Sequence, residues 1–254
     1  MTSKTEVTIV TGGASGIGFA TSAWLLARGR RVLVLDHSRP NLASATAALS
    51  EYAELATFAE LDVTDETRML EVLDAHIPIS QRVVGLVNSA GYGADIPFLD
   101  TPSKMLREML EVNLIGTFSI SREVAKRMVS TGGGSIVHIS SVSGQVGNKG
   151  RAAYGATKAA ILNLTQVMSN ELARHGIRVN CVCPGPIETP LAAGAHGAAG
   201  KVLWERNVPM RRYGTAKEVS NTIGFLLADD LASYVTGQII SVDGGFIGSG
   251  LLVD

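Results

Sequence analysis

Cysteine is nearly absent from this chain of 254 residues: only Cys181 and Cys183 occur. They lie two apart in an apolar run that reads as a strand, so both side chains face one side. Adjacent same-face strand positions suit an intrachain disulfide poorly, and two thiols supply only half of a metal site or a redox pair. Packing is the expected role. Reduced thiols, with a first strand that begins by Val7 and leaves no room for an apolar targeting segment, point to the cytoplasm. Long apolar runs are missing too. None approaches the ~20 residues that a spanning helix needs, so no membrane partner is expected. Charge of one sign is not in excess either. With a formal net charge of −1 and no Lys/Arg run, the chain has no footprint for nucleic acid or for an anionic lipid surface.

What is present is apolar and regularly spaced. Hydrophobic residues make up 46% of the chain against 18% charged, enough to fill a sizeable core and too apolar for disorder. No shift in composition marks a linker, so residues 1–254 are read as one domain. Short β-rich runs at 7–10, 31–35, 56–61, 83–88, 135–140, 177–183 and 238–242 alternate with helical patterns. Several are apolar at successive positions, which means burial on both faces. The expected fold is α/β: a doubly wound, seven-stranded parallel sheet of the Rossmann type, flanked by helices on both faces. The longest helical patterns, at 102–129 and 153–174, are the expected faces of a homo-oligomer. An Ala/Gly-crowded stretch at 188–200, containing Pro190 and His196, reads as a mobile lid within a segment spanning about 188–213.

The chemistry is concentrated in three places. Tyr154 and Lys158 are four residues apart on a helical pattern and so project from one face. A phenol ordinarily titrates near ~10, and a neighbouring ammonium favours its phenolate, which makes the pair a proton acceptor near neutral pH. The run 7–18 places a glycine-rich turn, Thr11-Gly12-Gly13-Ala14-Ser15-Gly16-Ile17-Gly18, after a strand and before a helix. Glycine lets the backbone approach a pyrophosphate, and the helix N-terminus offers free N–H donors. Asp36 closes the second strand 18 residues after Gly18, where a carboxylate accepts hydrogen bonds from an adenosine ribose. It would repel a 2′-phosphate, so NAD is favoured over NADP, although Arg39 nearby could accommodate a phosphate. The plainer reading of Asp36 is a surface-loop carboxylate.

These residues resemble the classical short-chain dehydrogenase/reductases over essentially the whole chain. The likeness rests on the glycine turn, Asp62-Val63, Asn88-Ser89-Ala90-Gly91, Asn113, Ser141 with Tyr154 and Lys158, and the run Pro184-Gly185-Pro186-Ile187-Glu188-Thr189. The resemblance implies that Tyr154 is the general acid/base and that Lys158 holds the nicotinamide ribose and lowers the tyrosine's pKa. It implies that Ser141 binds the substrate oxygen, and that Asn113 holds a water linking Lys158 to solvent. It also implies a cofactor site that includes Gly12, Ser15, Gly16, Ile17, Gly18 and Asp36. Asp62 and Val63 would flank the adenine, and Asn88, Ala90 and Gly91 would border the cleft. Pro184 and Gly185 would belong to the same site, with Ile187 and Thr189 meeting the nicotinamide amide. Ser89 stands where many relatives carry a second asparagine.

Other residues weigh less. Ser140 neighbours Ser141, but alternation points the two in opposite directions. His138 lies between Val137 and Ile139 and reads as a core histidine, and Met105, Met109, Met128 and Met168 read as packing. Substrate contacts are expected from Ser141, Ser143, Gln145, Arg151, Tyr154, Leu191 and Trp204, with Tyr92, Gly93 and Asn148 nearby. Arg151 either pairs with a substrate carboxylate or is a solvated residue at the helix start. The reading is an NAD-dependent oxidoreductase that interconverts a secondary alcohol and a ketone, oxidising a small polar alcohol such as a polyol, a sugar-derived alcohol or a hydroxy acid. The alternatives are an NADPH-dependent ketone or 3-ketoacyl-thioester reductase, and a nucleotide-binding regulatory protein without turnover. By resemblance the expected assembly is a homotetramer or dimer.

Overall fold

The computed structural model describes residues 6–78 and 80–249, without the side chains of Leu191 and 193–199. Seven strands form one parallel sheet: β1 (Glu6–Thr11), β2 (Arg31–Asp36), β3 (Ala56–Glu60), β4 (Arg82–Asn88), β5 (Gly134–Ile139), β6 (Ile177–Pro184) and β9 (Ile239–Val242), in the order β3-β2-β1-β4-β5-β6-β9. Two short strands, β7 (Ile187–Glu188) and β8 (Gly214–Thr215), pair separately. The helices are α1 (Gly16–Leu26), α2 (Arg39–Ala48), α3 (Glu66–His76), α4 (Ser103–Leu110), α5 (Thr117–Thr131), α6 (Ala152–Leu172), α7 (Pro190–Asn207), α8 (Ala216–Leu227) and α9 (Asp229–Ala232).

Strand side chains divide between two cores in the way continuous apolarity requires. Leu33, Leu35, Leu86, Ile136 and Val179 point into a core with Met69 and Leu73 of α3 and Ile120 and Val124 of α5. Their neighbours Val32, Val34, Val87, Val137 and Val182 point to the other side, against Leu25 and Leu26 of α1 and Ile223 and Leu226 of α8. Each fully buried Leu, Ile or Val contributes roughly 1.5–3 kcal/mol of burial, so neither face could be left to water. The sheet order reverses between β1 and β4. There the carboxyl ends of the strands open a crevice, the usual ligand position in such a sheet.

Two segments carry structure beyond the pattern read in the sequence. The stretch 102–129 is helical as expected, running unbroken from Ser103 to Thr131, but it carries a π-helical turn over Glu111–Gly116 between α4 and α5. The Ala/Gly-rich stretch read as a lid is also regular in structure. It is helix α7, with Pro190 in its first turn and the Thr189 hydroxyl accepting from Ala192 N–H. A side-chain cap and a proline in the first turn, where its missing N–H is not needed, start the helix despite the weak propensity of its glycines. Among the described residues no helix is long and apolar enough to cross a membrane. Both cysteines are free and fully buried, packed with Ile161 of α6.

Candidate active site

A cavity of about 470 Å³ lies at the carboxyl ends of the central strands, within the ~300–1,000 Å³ usual for small-molecule and cofactor sites. Gly12, Ser15, Gly16 and Ile17 form one wall. Gly12 has φ +58°, and a β-carbon there would stand 2.8 Å from the Ala90 backbone, so the two turns approach as only glycine allows. Gly18 is off the wall, facing the turn itself, where a β-carbon would lie 2.1 Å from the Gly12 carbonyl oxygen. Ser15 occupies the N-cap of α1 but makes no side-chain capping bond. The start of α1 therefore lacks that side-chain partner beside the cavity, the arrangement that suits a pyrophosphate.

Asp36, Asp62 and Val63 continue this wall. Asp36 is not a surface-loop carboxylate. It is buried, its Oδ2 accepting from Ala14 N–H at 3.3 Å and its Oδ1 from Ser38 N–H at 3.0 Å. Arg39 is turned to Glu60, with Nε 2.7 Å from Oε2. An uncapped helix start, a glycine cradle and a fixed carboxylate at the end of β2 fit a dinucleotide.

The middle of the cavity is bordered by Ala90, Gly91, Ser141, Tyr154 and Lys158. Ser141 lies two residues beyond the end of β5 and Tyr154 is the third residue of α6, and their side chains hydrogen-bond. Ser140 also lines the cavity, but its hydroxyl is engaged, donating to the Lys158 carbonyl at 2.7 Å. Lys158 Nζ donates to the Ile139 carbonyl at 2.8 Å and lies 5.8 Å from the Tyr154 ring centre. Burial lowers the Lys158 pKa to about 8. The Tyr154 phenol is corrected in the opposite sense to the sequence reading. Burial pushes its pKa up, opposed by the Ser141 hydrogen bond and the Arg151 charge.

Asn113 lies in the π-helical turn, fully buried and off the cavity wall. Its amide accepts from Tyr92 N–H at 3.0 Å and donates to the Tyr92 carbonyl at 2.9 Å and to Thr157 Oγ1 at 3.0 Å. Thr157 was not singled out in the sequence, although its helical spacing from Tyr154 carried the signal. Asn88 is also turned away from the cavity, donating to Ser121 Oγ at 2.8 Å. His138 shares that buried cluster, bonded to Ser121 and Thr165, with its pKa lowered by burial to about 3; it is a core histidine.

Pro184, Gly185, Ile187 and Thr189 also line the cavity, with Thr189 beside Gly16. Of the expected substrate residues, Ser143, Arg151 and Trp204 line the cavity. Gln145 does not: its Oε1 accepts from Ser241 Oγ at 3.0 Å. Asn148 donates to Ser143 Oγ at 3.1 Å. The side chains of Leu191 and His196 lie outside the described residues. Arg151 is not a solvated residue: its side chain is largely buried on the cavity wall, with Nε 2.5 Å from Asp95 Oδ1. Ser89, Val142 and Pro190 also line the cavity and were not assigned from sequence, since the ends of strands mark the neighbourhood and not each side chain.

Comparison with known proteins agrees with this geometry. Residues 12–247 match the family model described as Enoyl-(Acyl carrier protein) reductase. The chain is 36% identical over 242 residues to 3-oxoacyl-(acyl-carrier-protein) reductase FabG of Thermotoga maritima, covering 95% of this chain and 98% of that one. It is 36% identical over 245 residues to galactitol 2-dehydrogenase of Rhizobium johnstonii, covering 95% of each. The crystal structure of levodione reductase superposes with a TM-score of 0.91 at 31% identity, covering 96% of this chain and 98% of that one. With that fold, cavity and set of relatives, the chain belongs to the short-chain dehydrogenase/reductase family, nicotinamide-dependent oxidoreductases that act on alcohols and ketones.

Proposed function

We propose that this protein is an NAD-dependent dehydrogenase that oxidises the secondary hydroxyl of a small polar alcohol to a ketone. The observation that carries the cofactor choice is the buried Asp36 carboxylate on the cavity wall, held by two backbone N–H groups while Arg39 is engaged by Glu60. Each ~1.4 kcal/mol by which such a charge repels a 2′-phosphate is a tenfold preference for the unphosphorylated form. Gly12, Ser15, Gly16, Ile17, Asp36, Asp62, Val63, Ala90, Gly91, Pro184, Gly185, Ile187 and Thr189 would hold the dinucleotide, with Gly18 shaping the turn. When bound, nicotinamide supplies the hydride acceptor.

The chain's own residues then handle the proton and the developing charge. Ser141 hydrogen-bonds the substrate oxygen, and Tyr154 takes the hydroxyl proton as general base. Lys158, buried and ammonium-bearing below about pH 8, orients the cofactor ribose. Asn113 holds Tyr92 and Thr157 in place behind them. A polyol, sugar-derived alcohol or hydroxy acid is the substrate class, supported by Ser143 on the wall and by the galactitol dehydrogenase relative. Exposed Phe118 and Val129 on α5 and Val167 on α6 support a homo-oligomer, dimer or tetramer, through these helices.

The second reading is an NADPH-dependent 3-ketoacyl-thioester reductase, favoured by the Thermotoga relative. Measuring kcat/KM for NAD and NADP with a panel of polyols, hydroxy acids and aryl alcohols, and for NADH and NADPH with a panel of 3-ketoacyl thioesters, separates the two. NAD preference with a polar alcohol supports the proposal, and NADPH preference with a ketoacyl thioester replaces it. No turnover on either panel, with NADH still bound, would favour a nucleotide-binding regulatory protein.

A further inference from the structure

Beside the cavity, the loop 92–97 is tied down at both ends. At one end the Asn113 amide takes both backbone groups of Tyr92. At the other, Ile96 N–H donates to the Gly150 carbonyl at 2.9 Å, and Asp95 pairs with Arg151, the N-cap residue of α6. Between these anchors Gly93 bears on Tyr154: a β-carbon at 93 would stand 2.7 Å from the ring. Arg151 reaches the same ring, its guanidinium carbon 5.2 Å from the centre. The pair is largely withdrawn from water, with 11% of the Arg151 side chain and 34% of the Asp95 side chain exposed, so it is screened far less than an open surface pair.

We propose that the Arg151–Asp95 ion pair is a positioning device for Tyr154: it fastens the 92–97 loop to the start of the catalytic helix, so that Gly93 bears on the phenol ring, and it sets the electrostatic balance at the phenol. The proposal rests on the reading of Tyr154 as the proton-transferring residue. Neither Arg151 nor Asp95 exchanges a proton with substrate; both act through the tyrosine. The groups that bear on the phenol are the Ser141 hydroxyl just beyond β5, Arg151 at the N-cap of α6, Lys158 within α6, Asp95 from the loop, and Cys183 from β6. Of the charges on the ion pair, Arg151 favours the phenolate and Asp95 opposes it.

The two members of the pair therefore make opposite predictions. In alcohol oxidation the phenolate is the active form, so the acidic limb of kcat/KM for the alcohol, at saturating NAD, follows the tyrosine. Arg151→Gln moves that limb to higher pH by about half to one unit, and Asp95→Asn moves it lower by a similar amount. The double variant returns towards wild type, and Arg151→Lys keeps the limb in place while lowering the rate. A merely structural contact would lower activity in both single variants without opposed shifts. An unmoved limb, or shifts in the same direction, overturns the proposal; if Arg151→Gln fails to fold, Asp95→Asn and Arg151→Lys still decide it. Tyr154→Phe in the same series separates the underlying reading: turnover retained there removes Tyr154 from the chemistry, whatever the two pair variants do.

Discussion

Arg39 Nε lies 2.7 Å from Glu60 Oε2, across the end of the β2–β3 pair whose register sets Asp36 opposite Glu60. The ion pair is exposed on both sides, and such pairs are worth only ~0–1 kcal/mol. A 2′-phosphate could recruit Arg39 at little cost, so the proposed preference for NAD rests mainly on the buried Asp36 carboxylate. Asp36→Asn is expected to lower the ratio of kcat/KM for NAD over NADP by about tenfold or more, and Glu60→Gln by less than about fivefold. Steady-state kinetics with both cofactors checks this. A larger effect from Glu60→Gln than from Asp36→Asn would reverse the assignment.

Gly18 has no room for a side chain, since its β-carbon would meet the Gly12 carbonyl oxygen at 2.1 Å. Gly18→Ala must push the start of α1 away from the turn that it closes. Overpacking of this kind costs about 1–3 kcal/mol, and the displaced turn should also weaken NADH binding. Urea unfolding with a fluorescence titration of NADH measures both, and wild-type stability in the variant would contradict the packing described.

His138 ties stability to pH. Its pKa is about 3 in the folded protein, lowered first by burial and then by the Lys158 charge, against about 6.5 in an unfolded chain. Between those values the unfolded state binds the extra proton, so stability is lost as pH falls from about 6.5 towards 3. His138→Gln should be less stable than wild type at pH 7, because the bonds to Ser121 and Thr165 are disturbed. Its stability should also decline less steeply with acid. Urea midpoints across this pH range give the two slopes, and equal slopes would show that His138 does not titrate on unfolding.

The sheet was legible because its strands are apolar at consecutive positions. Val32 to Leu35 could satisfy that pattern only by feeding two cores, and they do. The glycine turn, Asp36 and the Ser141, Tyr154 and Lys158 set were legible because each depends on local spacing that a strand end or a helix preserves. The π-helical turn around Asn113 was not, since a shifted backbone ladder leaves no signal in hydropathy. Helix α7 was hidden by its alanines and glycines, although Thr189 followed by Pro190 is a helix start that composition alone overlooks. The Arg151–Asp95 pair joins positions far apart in the chain, and no local pattern could have brought them together.

The central claim is that Tyr154 moves the proton in an alcohol oxidation that uses NAD. Turnover of Tyr154→Phe with NAD and a substrate found on the alcohol panel, measured beside NADH binding to the same preparation, tests it most directly. The expected result is a loss of roughly 10²–10⁴-fold or more in kcat, with NADH affinity close to wild type. Near-wild-type turnover in the variant would contradict the account.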